Sequence, residues 1–369
     1  MNIVTYILKL QNKKHHSGID RWIWISLRAL EKIYAFSLKN KRKRDIKNQQ
    51  KLSVPVISIG NITAGGTGKT PCMIRIANEI KKEGHHPAIL LRGYKSQWEN
   101  KGGVISDGIH MLVDRKIAGD EAYMTALRVP GVPIYIGKNR ELSAKRAIND
   151  GADVILIDDG FQYWKLHRDL DILLIDGINP FGNTHLLPCG ILREQLSELK
   201  RANLFILTKS DQITENEKND IKLILKQWAP CTPIIEGNHT PKGCIALSAW
   251  KEKKYETITK FTNDNVLLAS GIGNPKSFSH TAKEIGLHPV AEIHWDDHHD
   301  YTEKDIREIA QKAKSLFLNK VIITEKDAVK IGDFSLAFNC GVDFYVLPIE
   351  MTFALKDEEI LRKHWEDLL

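Results

Sequence analysis

At 369 residues with 42% hydrophobic side chains, the chain can bury a full core, and its length suggests about two domains. Cys72, Cys189, Cys231, Cys244 and Cys340 are scattered without a C-x-x-C pair, which argues against a disulfide framework or a zinc site and for a reducing compartment. The net charge of +7 is unevenly spread: residues 1–52 hold 13 Lys/Arg against 3 Asp/Glu, and the remainder holds 40 against 43. The aromatics of that basic segment sit beside aliphatics, so nucleic acid is not the expected partner.

In IDRWIWISLRALEKIYAFSLKNKRKR, helical spacing puts Ile19, Trp22, Ile23, Leu27, Leu30, Ile33 and Tyr34 on one side and Arg21, Arg28 and Lys32 opposite. Trp24 falls towards the polar edge, and a basic cluster, Lys41 to Arg44, follows. Such a helix can lie in a lipid headgroup layer or pack on the protein's own core. Its apolar run is far short of the roughly 20 residues that span a bilayer, and no signal-peptide cleavage site follows.

Val54 to Thr70, VPVISIGNITAGGTGKT, reads as a buried strand breaking into a glycine-rich loop that opens a helix. Thr63, Ala64, Gly65, Gly66, Thr67, Gly68, Lys69 and Thr70 form the expected phosphate cradle. Loop amides hold the phosphates, Lys69 reaches the terminal oxygens and the Thr70 hydroxyl meets Mg²⁺. The strict pattern has Gly where this chain has Thr63, but strand, loop, Gly-Lys-Thr and helix arrive in the order the mechanism requires.

Pro71 suits the first helical turn. The runs AILLRGY, VPIYIG, VILIDD, DILLID and LFILTKSD then alternate with helical patterns, as in a mostly parallel sheet covered on both faces. Around residues 228–243 a Pro/Gly/His-rich stretch marks a boundary. A second series follows: NVLLASGIGNPKSF, PVAEIHW, the helix TEKDIREIAQKAKSLF, the strand VIITEKD, the strand FYVLPI and a charged final helix. The expected organisation is a basic amphipathic segment over 1–52, a P-loop nucleotide-binding α/β domain over 53–240, and a smaller α/β lobe over 241–369.

Asp158 and Asp159 end the strand VILI, where a P-loop enzyme needs a carboxylate for Mg²⁺. Asp120 and Glu121 open a helix, either as caps complementing its dipole or with Asp120 as general base for an acceptor hydroxyl. In HWDDHHDYT, metal binding is one option, and a His paired with a carboxylate as a proton relay is the simpler one. Arg193 and Glu194 in LLPCGILRE suit an anionic group of an acceptor or a surface ion pair. LTKSD (207–211) resembles the guanine-reading element of P-loop GTPases, and a GTPase or GTP-dependent chaperone is the competing expectation, as is a nucleotide-gated membrane adaptor. Asp158-Asp159-Gly160, however, does not match the D-x-x-G spacing of a GTPase switch segment.

Together and in this order, GNITAGGTGKTP, LRGY, GDEA, DDGFQ, LLPCGILRE, LTKSD, ASGIGNP, DHHDYT and TEKDAVK resemble the tetraacyldisaccharide 4'-kinase family of lipid A biosynthesis. The family also has Thr at the position of Thr63. The resemblance implies transfer of the ATP γ-phosphoryl, with Mg²⁺, to the 4'-hydroxyl of a tetraacyldisaccharide 1-phosphate. The expected place is the cytoplasmic face of the bacterial inner membrane, reached peripherally through the N-terminal helix, with no obligate protein partner. It implies Asp120 as base, His298 as its partner with His299 as the alternative, and Lys69 as catalytic cation. It also assigns Asp158, Asp159 and Gln162 with Thr70 to the metal and phosphate site, and Arg193 and Glu194 to the acceptor. The chain departs from the family pattern at Tyr163, Cys189, Ile191 and Lys95-Ser96, all of which bear on acceptor geometry.

Overall fold

In a computed structural model of the chain, the described residues are 6–7, 10–11, 17–94, 96–255, 258–259, 261, 263–297, 299–332 and 334–369. The strands are β1 (Val56–Gly60), β2 (Pro87–Leu91), β3 (Gly103–Ser106), β4 (Ile134–Ile136), β5 (Val154–Asp158), β6 (Leu170–Asp176), β7 (Leu204–Thr208) and β8 (Ile234–Pro241). They continue with β9 (Cys244–Ala246), β10 (Ile258–Thr259), β11 (Asp264–Ser270), β12 (Leu287–His294), β13 (Lys320–Thr324), β14 (Asp343–Leu347) and β15 (Ile349–Phe353).

Among the described residues the strands form two sheets, a nine-stranded one in the order β15-β8-β7-β6-β1-β5-β2-β4-β3 and a six-stranded one in the order β10-β9-β14-β13-β11-β12. In the larger sheet, β15 against β8 and β3 against β4 are antiparallel, and the other pairings are parallel. Every residue of β1, β2 and β7 is buried, as strands covered by helices on both faces must be. The chain leaves β1 on one side for β2 and later returns on its other side as β6, so strand order reverses beside β1. A ligand crevice opens at the carboxyl ends of strands at such a reversal. The glycine loop lies there, and the helix Lys69–Lys82 that follows buries Met73, Ile76 and Ile80, each worth about 1.5–3 kcal/mol.

Two expectations are corrected. FYVLPI reads as one strand, but Pro348, which has no N–H for a ladder, divides it: β14 pairs with β13 in the smaller sheet and β15 pairs with β8 in the larger. In consequence the expected C-terminal lobe over 241–369 ends early. Met351, Leu361 and Trp365 are buried in the core of the larger sheet, so residues 349–369 return to it.

The helix Ile19–Lys47 runs along the first unit, and among the described residues no helix is long and apolar enough to cross a membrane. Its apolar side is split. Leu27 is buried and Tyr34 half-buried against the protein, whereas Ile19, Trp22, Leu30 and Ile33, with Ile25 and Phe36, are exposed. The helix is anchored by Leu186 N donating to Glu31 Oε1 (2.9 Å), Tyr34 Oη donating to Arg193 O (3.3 Å) and Arg42 stacked over Trp164 (4.4 Å). Trp24, expected at the polar edge, meets the His185 ring edge-on.

Candidate active site

The loop between β1 and the helix Lys69–Lys82 is shaped by Gly65 (φ 123°) and Gly68 (φ 84°), conformations that side chains disfavour. A Cβ on Gly65 or Gly66 would meet nothing within 4 Å, so the loop backbone faces open space. Thr63, in the place of the pattern's glycine, is buried and bridges to Leu192, and Ala64 N donates to Ile191 O (2.7 Å). On the other side Thr208 Oγ1 donates to Thr67 O (3.1 Å) and Lys209 Nζ reaches Gly66 O (3.5 Å).

Lys69 Nζ donates to Asn61 Oδ1 (3.2 Å) and lies 3.7 Å from Asp159 Oδ1. Thr70 Oγ1 donates to Glu121 Oε1 (2.7 Å). Burial, then the neighbouring Glu121 carboxylate, pushes the Asp158 carboxyl up to about 7, and its Oδ1 has no hydrogen-bond partner among the described residues. Gln162 donates to Asn61 O (2.8 Å), and its own Oε1 is likewise unpartnered. Asp159 differs: burial alone would raise its carboxyl, but the Arg193 guanidinium, bidentate at 2.7 Å to each oxygen, outweighs burial and holds it well below the usual carboxylate range. Arg140, which sequence reasoning passed over, donates from Nη2 to Asp158 O (3.0 Å), and Tyr163 sits beneath its guanidinium.

Asp120 opens the helix Asp120–Arg128 between two cations, Arg115 Nη1 at 2.8 Å and Lys330 Nζ at 3.3 Å. Lys330 is nearly fully buried and also donates to His299 O (2.9 Å), which ties Asp120 to the HHDYT segment. His298 lies outside the described residues. The alternative partner, His299, turns Nε2 to Asp305 Oδ2 (3.2 Å) and stacks on Trp295. Arg128 pairs with Glu325 and lies 3.8 Å from Glu350, closing the contact between the two sheets' helices.

The acceptor expectation for Arg193 and Glu194 meets a different arrangement. Arg193 serves Asp159 and donates to Asn61 O (3.0 Å), while Glu194 is buried. Burial, with opposition from Arg201, raises the Glu194 carboxyl. Asn61, Glu121, Arg140 and Lys330 are the site residues that motif reading missed or weighed only as caps. For Arg140 and Glu121 the available signal was position, since each lies in the first turn of a helix beside the crevice.

Arg193→Met should leave the Asp159 carboxylate without its bidentate partner and with only Lys69 nearby, at a cost of about 2 kcal/mol for a partly exposed pair. A carboxylate held low stabilises the fold above its unfolded value, near 4, and that contribution fades as pH falls towards its folded value. Urea unfolding should therefore separate wild type from variant most at pH 7, with the gap narrowing progressively as pH falls below about 4.

A parallel sheet with a glycine loop, an invading lysine, a following hydroxyl and strand-end carboxylates at its switch point defines the class of phosphate-loop nucleotide-binding proteins. Within that class the chain belongs to the tetraacyldisaccharide-1-P 4'-kinase family, LpxK, whose sequence profile matches residues 23–366. It is 35% identical to a tetraacyldisaccharide 4'-kinase of Halothermothrix orenii over 94% of each chain. It is 32% identical to one of Pelobacter propionicus, covering 96% of this chain and 95% of the relative. It also superposes on a crystal structure of LpxK from Aquifex aeolicus in complex with ATP, with TM-score 0.73 and 25% identity, over 94% of this chain and 99% of that one.

Proposed function

We propose that this protein moves the γ-phosphoryl of ATP to the 4'-hydroxyl of a tetraacyldisaccharide 1-phosphate, forming the 1,4'-bisphosphate of lipid A synthesis. The observation that carries the reading is the convergence of Lys69, Thr70, Asp158 and Glu121 on one side of the glycine loop, in a chain of this family. The bond from the γ-phosphorus to the β-bridging oxygen breaks, a bond to the sugar oxygen forms, and the hydroxyl proton goes to Asp120. Lys69 and the loop amides meet the charge on the phosphate oxygens.

Mg²⁺ fits the donor set. The unpartnered Oδ1 of Asp158, the unpartnered Oε1 of Gln162, the Thr70 hydroxyl and the Glu121 carboxylate are hard oxygen donors. Magnesium takes one or two carboxylates and completes its shell with phosphate oxygens and water. When bound it supplies charge neutralisation between the β and γ phosphates. Both oxygens of Asp159 are engaged by Arg193, so Asp159 acts in this reading by holding Lys69 and Arg193 in place.

His298 pairs with Asp120 in this reading, and Arg193, held on Asp159 and Asn61, braces the phosphate site rather than meeting the acceptor. An acylated acceptor stays in lipid, so the enzyme must work at a membrane surface, the cytoplasmic face of the inner membrane. The exposed Trp22, Ile33 and Phe36, flanked by Arg21, Arg28 and Lys32, form a face suited to anionic headgroups. Replacing Trp22, Ile33 and Phe36 together by Asp should weaken sedimentation with anionic vesicles at least about a hundredfold, since three buried apolar side chains are lost. Undiminished vesicle binding would assign the face to something other than lipid. The activity itself is tested with γ-labelled ATP and detergent-dispersed tetraacyldisaccharide 1-phosphate. Label should appear in a doubly phosphorylated lipid, and label released only as inorganic phosphate would refute the assignment.

A further inference from the structure

The phosphate loop and the strand behind it hold two buried polar side-chain atoms to which the reaction above gives no role. His239 stands on β8 so close to the loop that a Cβ on Gly68 would lie 2.4 Å from its Nε2. That Nε2 is buried without a hydrogen-bond partner among the described residues, and so is the Oγ1 of Thr67, the residue before Gly68. Thr67 is itself buried. Burial, then the Lys209 ammonium, brings the His239 ring down to about 4, so it is neutral at physiological pH and offers one donor and one acceptor nitrogen. A leucine or phenylalanine would line this wall without the cost of a sealed, unpaired nitrogen.

We propose that His239 is a positioning residue for the phosphate loop, its Nε2 pairing with the Thr67 hydroxyl when the loop closes on a polyphosphate. The proposal rests on the reading of residues 63–70 as the phosphate cradle. Gly68 has no Cβ and takes a left-handed conformation, so the loop passes the ring at a distance no other residue allows. His239 sits opposite Met351 of β15, whose Cε would be 3.5 Å from that same Cβ. β8 and β15 are the strands from which the chain crosses to and returns from the smaller sheet. The contact therefore joins the loop to the connection between the two sheets.

The test is a double-mutant cycle on the full chain, reading ATP dissociation and the KM for ATP apart from kcat. His239→Phe keeps a ring and removes the nitrogen, and Thr67→Val keeps the shape and removes the hydroxyl. Each should raise the dissociation constant and KM for ATP about fivefold to tenfold, the scale of one buried hydrogen bond. For His239→Phe kcat at saturating ATP should stay within about threefold, and in ATP affinity the double variant should be no worse than either single one. His239→Gln, which retains a donor, should recover part of the loss and serves if the phenylalanine does not fold. Losses that multiply in the double variant, or a KM that moves in neither single variant, overturn the inference. If wild type retains no ATP, the cradle reading fails and takes this inference with it; if wild type binds ATP and the variants match it, this inference alone fails.

Discussion

Lys69→Met should lower kcat by about a thousandfold or more and weaken ATP binding, with little change in melting temperature. The lysine directly follows the glycine loop, and transfer of a phosphoryl group builds charge on oxygens that only preorganised donors can meet. Its present contacts, to Asn61 Oδ1 and Asp159, are to groups that keep other partners, Arg193 above all. Removing the ammonium therefore leaves no isolated buried charge, and stability is largely spared. The decisive measurement is a single-turnover rate at saturating ATP beside a thermal melt. A variant that melts much earlier, with transfer intact per folded molecule, would make Lys69 a structural residue.

Asp120→Asn should be the second large effect, about 10²–10⁴-fold in kcat, the range general bases contribute. The amide oxygen can still accept from Arg115, so the helix start is kept and ATP binding should be unchanged. What the amide cannot do is take a proton at neutral pH. Equilibrium ATP binding and kcat measured on the same preparation separate the two roles. Loss of nucleotide affinity in step with kcat would mean that the carboxylate only orders Arg115 and Lys330, whose cations it balances.

Much of the site lies in one continuous stretch, which explains why it could be read early. Strand, glycines, lysine and threonine are neighbours in the chain, and the geometry they produce is local. Glu121 is different: it meets Thr70 across 51 positions and reads in isolation as an acidic residue in a helix's first turn. Arg140 belongs to another helix, reaches Asp158 across the crevice and carries no motif of its own. Arg193 shows the opposite difficulty, since its motif was recognised but its partner was not. Apolar periodicity in the N-terminal helix could not say which edge of the stripe packs and which faces outward, because both are apolar.

Apolar runs of strand length, glycine placement and the order of the short motifs determined the parallel α/β class, the glycine loop after β1 and the family, because each depends on residues within a few positions of one another. Tertiary structure alone decided that Pro348 sends β15 back to the larger sheet, and that Arg193 closes on Asp159 rather than facing outward. It also decided that Lys330 reaches Asp120 from the far side of the chain. Those are pairings between distant segments, and the free energy that selects them comes from burial and charge compensation in the assembled fold, to which no single segment contains the counterpart.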